Sequence, residues 1–182
     1  MHIHSGWLSN AKVLNSPNFN QRPNGAAVSL LVVHGISLPP GEFGGGYIQQ
    51  FFLNTLDPKQ HPYFATVADV QVSAHCLIDR TGGITQFVSF DDRAWHAGRS
   101  CYCGERECNN YSIGIELEGT DDIPYSSAQY KTLSELTLII QQAYPAVTHE
   151  RIVGHSDIAP GRKTDPGAIF DWQYYRKLIK HT

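Results

Sequence analysis

The sequence has few of the features that suit a membrane or a nucleic acid. No apolar run approaches the roughly 18 residues that a membrane-spanning helix needs. The chain carries 14 Lys+Arg against 17 Asp+Glu, a formal net charge of -3. Proteins that bind nucleic acid or anionic lipid usually present clustered basic residues, and no such cluster occurs here. We therefore expect neither a nucleic acid nor a membrane as a partner.

Signals for export and for disulfide bonding are also scarce. The opening stretch MHIHSGWLSNAKVL has neither the basic n-region nor the apolar h-region of a secretory signal peptide. Four cysteines in 182 residues are too few for a disulfide scaffold. We expect a cytoplasmic protein whose cysteines stay reduced.

The composition suits one globular domain. Hydrophobic residues make up 41% and aromatic residues 11% of the 182 residues, which is enough to fill a core and excludes intrinsic disorder. No internal repeat, low-complexity tract or linker divides the chain. We expect a monomer with a single domain over residues 1–182, in which residues 1–27 form an irregular segment packed on the rest. Nine histidines are the one unusual count.

Hydrophobic periodicity predicts alternating strands and helices. Residues 36–46 contain two prolines and four glycines and therefore form a loop. The expected class is α/β or α+β, with a mixed central sheet flanked by helices. The predicted strands cover 28–35, 73–79, 84–90, 111–119 and 151–155, and the predicted helices cover 47–57, 61–70, 126–144 and 171–180.

The segment 111–119 alternates strictly. Ile113, Ile115 and Leu117 fall on one face of the predicted strand, because side chains alternate across a strand. Glu116 falls on the opposite face. The alternation alone does not show whether that face carries a functional site or is exposed to solvent.

Three residues form a candidate metal-binding set. His34 lies at the end of an apolar strand, His155 ends another, and Asp165 lies ten residues further on in GRKTDPG. Two imidazoles and one carboxylate leave a fourth coordination position for water, which is typical of catalytic zinc. A histidine at a strand end is more often structural, however, and His75 and His96 are competing candidates.

Two further residues could carry chemistry beside that set. Glu116 could act as a general base toward water, or it could simply face solvent. Lys163 lies two residues before Asp165, and its ammonium could stabilise an oxyanion formed from an amide carbonyl. Taken alone, Lys163 reads as a surface lysine in a polar loop.

Several blocks of sequence together resemble one enzyme family. They are SLLVVHGISLPPGEFGGGYI, VSAHCLIDRTGGITQFV, RAWHAGRS, YSIGIELEGTD and GHSDIAPGRKTDPGAIFDW. The chain is similar to the zinc amidases of the N-acetylmuramoyl-L-alanine type (type 2) over essentially its whole length, from about Ser5 to the last helix.

The resemblance implies a peptidoglycan-recognition-like amidase fold with one zinc ion held by His34, His155 and Asp165. It implies Glu116 as the base and Lys163 as the oxyanion stabiliser. The implied reaction is hydrolysis of the lactyl-amide bond between 1,6-anhydro-N-acetylmuramic acid and L-alanine in recycled muropeptides, with an implied effect on β-lactamase induction. The alternatives are an amidase that acts on intact peptidoglycan and a muropeptide-binding module without catalysis.

The expected substrate contacts depart from the family pattern. Gly35 stands where members of this family carry asparagine, and Gln71 and Glu107 stand where they tend to carry arginine. Arg106 is adjacent to the altered position 107, and Trp95 could stack on a sugar ring. The expected substrate-binding positions are therefore Gly35, Gln71, Trp95 and Arg106, with the preferred peptide stem left open.

Cysteine spacing offers a weaker metal-site hypothesis. Cys101, Cys103 and Cys108, together with His96, could form a second, structural zinc site, although the C-x-C spacing is unusual for one.

Overall fold

A six-stranded mixed sheet lies at the centre of the computed structural model, which describes residues 1–180. The strands are β1 (Ile3–His4), β2 (Trp7–Leu8), β3 (Lys12–Val13), β4 (Phe19–Gln21), β5 (Leu30–Ile36), β6 (Cys76–Ile78), β7 (Ile84–Gln86), β8 (Asp92–Ala94), β9 (Cys101–Tyr102), β10 (Glu105–Arg106), β11 (Ser112–Glu118) and β12 (Ile152–Gly154). The helices are α1 (Tyr47–Phe52), α2 (Pro62–Val67), α3 (Ser127–Ala143), α4 (His155–Ile158) and α5 (Trp172–Lys180), and 3₁₀ turns cover Cys108–Asn110 and His149–Arg151.

The strand order of the central sheet is β12-β5-β11-β6-β7-β3. The first four strands are parallel to one another. β7 turns back antiparallel to β6, and β3 pairs parallel with β7. The expected mixed sheet flanked by helices is therefore confirmed.

One face of the sheet packs against α3 and α5. α3 begins at a capping box in which the Ser126 hydroxyl accepts the Gln129 N–H and the Gln129 side chain accepts the Ser126 N–H, an arrangement that satisfies backbone donors at the start of the helix. Burial of a large apolar side chain contributes about 1.5–3 kcal/mol, so this face is a main source of stability. Its core includes Leu31, Val33, Ile113, Ile115, Leu117, Leu133, Leu136, Ile140, Tyr175 and Ile179.

The other face of β11 is buried as well, so the expectation that Glu116 could face solvent is wrong. All seven residues of β11 are buried. The segment between β8 and β11 covers this face, since Ala97 and Cys108 pack against Leu30 and Val32. Glu116 therefore lies in a partly enclosed polar site beside the sheet.

The N-terminal segment is more ordered than the sequence suggested. Residues 1–27 contain β1 to β4, and β3 joins the edge of the central sheet. The partly buried Arg22 guanidinium donates to backbone carbonyls of Phe90, Asn110 and Ser112. These long-range bonds fasten the segment, and no local pattern in the sequence announces them.

Several predicted elements are shorter in the structure. The helices expected over 47–57 and 61–70 cover Tyr47–Phe52 and Pro62–Val67. α1 ends where Asn54 adopts a left-handed backbone conformation with φ 58°, a common helix stop. The strands expected over 73–79 and 84–90 reduce to Cys76–Ile78 and Ile84–Gln86.

The strand expected over 151–155 ends at Gly154, and His155 opens α4 instead. The Gly154 N–H donates to Asp157 Oδ2 at 2.7 Å, which turns the chain from strand into helix. Within residues 1–180, no helix is both long and apolar enough to cross a membrane.

Candidate metal centre

The candidate residues meet at the carboxyl ends of three adjacent parallel strands. His34 lies near the end of β5, and Glu116 is its direct neighbour on β11. His155 follows β12, which pairs with the other edge of β5. Ligands of open α/β sheets bind at this end of the strands. Sheet topology therefore brings together residues that are far apart in sequence.

Three potential ligand atoms converge at this point. His34 Nδ1 lies 2.9 Å from His155 Nδ1, and Asp165 Oδ2 lies 3.2 Å from the first and 3.0 Å from the second. Atoms this close can all reach one ion at the bond lengths of about 2.0–2.2 Å found for zinc. Among residues 1–180, this is the one group of three or more His, Cys, Asp and Glu side chains with such a geometry.

The hydrogen bond behind His155 directs a lone pair into the group. His155 Nε2 lies 3.3 Å from the carbonyl oxygen of Ala97. A carbonyl only accepts, so Nε2 donates this bond, and Nδ1 is the ring nitrogen left to bind a metal. Such a bond from the second ring nitrogen is usual for histidines that bind metals.

The charge state of His34 also suits a cation. Burial lowers the pKa of His34 to about 4, so the ring is neutral at pH 7. A neutral imidazole is the form that binds a metal. Two imidazole nitrogens and one carboxylate oxygen thus fit a metal ion, with room left beside them for a water or a substrate oxygen.

Backbone contacts hold Asp165 against the histidines. The Ser156 N–H donates to the Asp165 carbonyl at 2.9 Å. The Tyr125 hydroxyl donates to the carbonyl of the next residue, Pro166, at 2.9 Å. The loop that carries Asp165 is therefore fixed to α4 on one side and to a buried tyrosine on the other.

Glu116 presents a free carboxylate oxygen beside the three ligand atoms. Its Oε1 lies 4.0 Å from His34 Nδ1, and its buried Oε2 has no hydrogen-bond partner in the part of the chain that the structure describes. Burial raises the pKa of Glu116 well above its usual value, and the charge of Asp165 raises it further, whereas Lys163 lowers it. A carboxylate with a raised pKa is suited to taking up a proton near neutral pH.

A cavity of about 290 Å³ opens over this group. Gly35, Trp95, Glu116, Lys163 and Asp165 all line it. Phe51, Tyr63, Val67, Val70 and Val72 add an apolar wall. The cavity thus combines charged groups at its base with an apolar side that can hold a ring or an alkyl group.

Two of the predicted substrate contacts lie elsewhere. Gln71 is exposed and is absent from the lining of this cavity, although Val70 and Val72 contribute to it. Arg106 lines a separate cavity with Arg99 and Arg162. The side chain of Gln71 therefore points away from a cavity that both of its neighbours line. The sequence does not reveal this orientation.

The competing histidines have other partners. His75 Nε2 contacts the Asp92 carbonyl, and His96 lies behind His34 rather than among the ligand atoms, with its Nδ1 2.9 Å from His34 Nε2. All four cysteines are free. Within residues 1–180, the hypothetical second zinc site at Cys101, Cys103 and Cys108 is not formed.

Gly35 makes room for Tyr125. A Cβ atom at position 35 would lie only 2.3 Å from the Tyr125 hydroxyl oxygen, whereas the next nearest atoms are 3.5 Å away or more. The tyrosine that supports the Asp165 loop therefore occupies the space that a side chain at position 35 would need.

We expect Gly35→Ala to lower the free energy of unfolding by about 1–3 kcal/mol, because overpacking a buried site forces neighbours to shift. In a Tyr125→Phe background the cost of the same change falls sharply, since the clashing oxygen is gone. Urea unfolding of the four proteins of this double-mutant cycle measures both costs. Equal costs in the two backgrounds would show that the hydroxyl is not the obstacle.

Comparisons with known proteins agree with this geometry. The sequence profile described as N-acetylmuramoyl-L-alanine amidase matches residues 24–168. The 1,6-anhydro-N-acetylmuramyl-L-alanine amidase AmpD of Haemophilus influenzae is 54% identical over 178 residues, which are 98% of this chain and 97% of that protein. A crystal structure of a selenomethionine AmpD derivative superposes with a TM-score of 0.96 at 54% identity, covering 98% of this chain and 99% of that one.

A structure with a bound muropeptide is also similar. The amidase AmiD from E. coli, in complex with the substrate anhydro-N-acetylmuramic acid-L-Ala-D-gamma-Glu-L-Lys, has a TM-score of 0.60 and is 30% identical. The match covers 87% of this chain and 60% of that one. The family profile, the near full-length identity and the shared fold agree, and the chain belongs to the N-acetylmuramoyl-L-alanine amidase family.

Proposed function

We propose that this protein hydrolyses the amide bond between the lactyl group of 1,6-anhydro-N-acetylmuramic acid and L-alanine in soluble muropeptides. The observation that carries the proposal is the convergence of the ligand atoms of His34, His155 and Asp165 beside the Glu116 carboxylate, whose Oε1 lies 4.0 Å from His34 Nδ1. Relatives described as 1,6-anhydro-N-acetylmuramyl-L-alanine amidases, 52–54% identical over 98% of the chain, support the anhydro-sugar substrate.

We propose one zinc ion as the metal that these three residues hold. Two imidazoles with one carboxylate form a common ligand set of catalytic zinc sites. When bound, zinc polarises a carbonyl and makes water a stronger nucleophile near neutral pH. The open side of the ligand group faces the cavity where the substrate would lie.

Glu116 would move the proton that the reaction requires. As water attacks the lactyl carbonyl carbon, a C–O bond forms and Glu116 takes one proton from the water. The C–N bond then breaks, and the protonated Glu116 returns that proton to the departing nitrogen of L-alanine. One carboxylic acid and one amine result, and Glu116 ends in its starting state, as a general acid–base catalyst must.

Lys163 would stabilise charge on the carbonyl oxygen during the attack. It lines the same cavity as Glu116 and Asp165, and its charge lowers the pKa of the Glu116 carboxyl, which supports this role. An ammonium group fixed near a developing oxyanion lowers the barrier of acyl transfer.

Trp95 and the apolar wall would hold the substrate. The indole N–H donates to Asn20 Oδ1 at 2.8 Å, which fixes the orientation of the ring at the cavity. An aromatic face of this kind suits contact with a sugar. We further propose a monomeric cytoplasmic enzyme that acts in cell-wall recycling and so limits the muropeptides that induce β-lactamase.

Substrate preference tests this proposal. We expect kcat/KM for an anhydro-muropeptide to exceed that for the matching N-acetylmuramoyl peptide, and intact sacculi to be poor substrates. Chromatography with mass analysis identifies free 1,6-anhydro-N-acetylmuramic acid and the released peptide. The Glu116→Gln protein, purified in the same way, reports any contaminating hydrolase. Faster release from sacculi would instead identify an enzyme of intact peptidoglycan.

A further inference from the structure

We propose that His96 and Ser112 are positioning residues, which fix the tautomer of His34 so that Nδ1 presents a lone pair to the metal. The inference concerns the metal centre on which the proposed function rests. It is carried by a chain of hydrogen bonds that runs from the Cys108 carbonyl to His34, on the face of β11 that also bears Glu116.

The chain of hydrogen bonds has a defined direction at its far end. Ser112 Oγ lies 2.6 Å from the carbonyl oxygen of Cys108. A carbonyl oxygen only accepts, so the single hydroxyl proton of Ser112 is committed to that bond. Ser112 Oγ also lies 3.1 Å from His96 Nε2. The hydroxyl oxygen must accept in this second bond, and His96 therefore carries its proton on Nε2.

The same direction continues to His34. His96 is buried, and its ring nitrogens face a hydroxyl and another imidazole, with no carboxylate among their partners in residues 1–180. In a neutral imidazole one ring nitrogen donates and the other accepts, so the proton on Nε2 leaves Nδ1 of His96 as an acceptor. That Nδ1 lies 2.9 Å from His34 Nε2. His34 donates this bond from Nε2, and its Nδ1 is left with a lone pair.

The consequence is a group of three ligand atoms with no proton between them. His34 Nδ1 and His155 Nδ1 both carry lone pairs, and Asp165 Oδ2 lies 3.2 Å and 3.0 Å from them. The opposite tautomer of His34 would place an N–H toward Asp165 and satisfy the carboxylate internally. By excluding that tautomer, His96 and Ser112 favour a bound cation over an internal hydrogen bond.

Gly114 independently supports the placement of the His96 ring, because it leaves the space that the ring occupies. A Cβ atom at Gly114 would lie 2.4 Å from His96 Cγ and 2.5 Å from Nδ1. The ring lies directly against the backbone of β11, which only glycine permits, and a glycine inside a strand often marks such a close approach. Asn109 Oδ1 accepts the N–H groups of His96 and Ala97 and holds this segment in place.

The first test uses the unaltered protein. Long-range ¹H–¹⁵N NMR of the imidazole nitrogens in the metal-free protein distinguishes a protonated from an unprotonated ring nitrogen. We expect His34 and His96 both to be protonated at Nε2 and unprotonated at Nδ1. A His34 ring protonated at Nδ1 would overturn the proposal, without any question of whether a variant folds.

The second test measures zinc affinity by competition with a chelator. We expect His96→Phe to weaken zinc binding by about 10–100-fold, the usual cost of losing a group that orients a metal ligand. Ser112→Ala should weaken it by about tenfold for the same reason. His96→Asn should recover most of the affinity, because its amide oxygen can accept the bond from His34 Nε2.

Thr137→Val is the matched control for Ser112→Ala. Thr137 is a buried hydroxyl that donates to a backbone carbonyl, that of Leu133, and bonds one side chain, Tyr175. It lies on α3, on the opposite side of the sheet from the ligand group. We expect a stability loss, measured by thermal unfolding, with unchanged zinc affinity.

Unchanged zinc affinity in His96→Phe would overturn the proposal. Equal losses in His96→Phe and His96→Asn would also overturn it, since ring volume rather than the acceptor would then hold His34. These readouts do not depend on turnover. A protein that followed them and yet failed to cleave an anhydro-muropeptide would refute the proposed function alone.

Discussion

Replacing Glu116 by glutamine is expected to lower kcat by about 10²–10⁴-fold, the usual contribution of a general base, while the protein keeps its zinc. Glutamine has the same shape but cannot take a proton. Glu116 Oε2 has no partner among the described residues, so no structural bond of that oxygen is lost. Steady-state kinetics on an anhydro-muropeptide, with zinc content measured on the same samples, gives both quantities.

Glu118→Gln is the matched control for Glu116→Gln. Glu118 is a buried carboxylate on the same face of β11, but its oxygens accept the N–H groups of Gly44 and Arg80. Removal of its charge should leave kcat close to that of the parent protein, because the glutamine oxygen can still accept from Gly44. Normal turnover by Glu116→Gln would show that another group is the base.

Replacing Asp165 by alanine is expected to abolish stable zinc binding and, with it, turnover. Asp165 supplies one of the three converging ligand atoms. The loss of zinc affinity should exceed the roughly 10–100-fold that changes behind a ligand cause. Chelator competition measures this affinity, and hydrolysis of an anhydro-muropeptide measures the accompanying loss of activity.

Asp171→Ala separates ligand loss from general destabilisation. Asp171 Oδ1 accepts the Tyr174 N–H at the start of α5 at 2.8 Å, and loss of such a cap costs about 1 kcal/mol. This variant should unfold more readily than the parent and still bind zinc normally. Parent-like zinc affinity in Asp165→Ala would remove Asp165 from the ligand set.

The position of the ligand group could be predicted from the sequence because it depends on strand ends. An apolar run that stops at a histidine indicates that a buried strand is close to its end, and His34 lies two residues before the end of β5. Parallel strands bring such ends together, and His155 follows the neighbouring strand. His34 and His155 meet because β5 pairs with β12. No local sequence pattern specifies that pairing.

The supporting groups could not be predicted in the same way. Gly114 and His96 lie in contact although they are 18 positions apart in the sequence, and Gly35 contacts Tyr125, which is 90 positions away. The sequence feature that could have indicated these contacts is a glycine within a strand or near its end. Such a glycine often means that another group packs closely against the backbone. The sequence does not say what that partner is, since the answer depends on how the covering loops fold.

The two alternatives for Glu116, a functional site or a solvent-facing position, could not be separated from the sequence for a related reason. Alternation in β11 correctly separates the apolar face from the face with Glu116, but it does not show whether a loop covers the second face. The segment that holds Ala97 and Cys108 does so. Glu116 is therefore buried, and burial raises the pKa of its carboxyl.

Zinc titration of the metal-free protein tests the central claim most directly. The protein is first stripped of metal, with residual metal measured, and then assayed on an anhydro-muropeptide at increasing zinc. We predict that release of L-alanyl peptide rises with added zinc and saturates at one ion per chain, and that chelation reverses it. Full cleavage by protein verified to be metal-free would contradict the account.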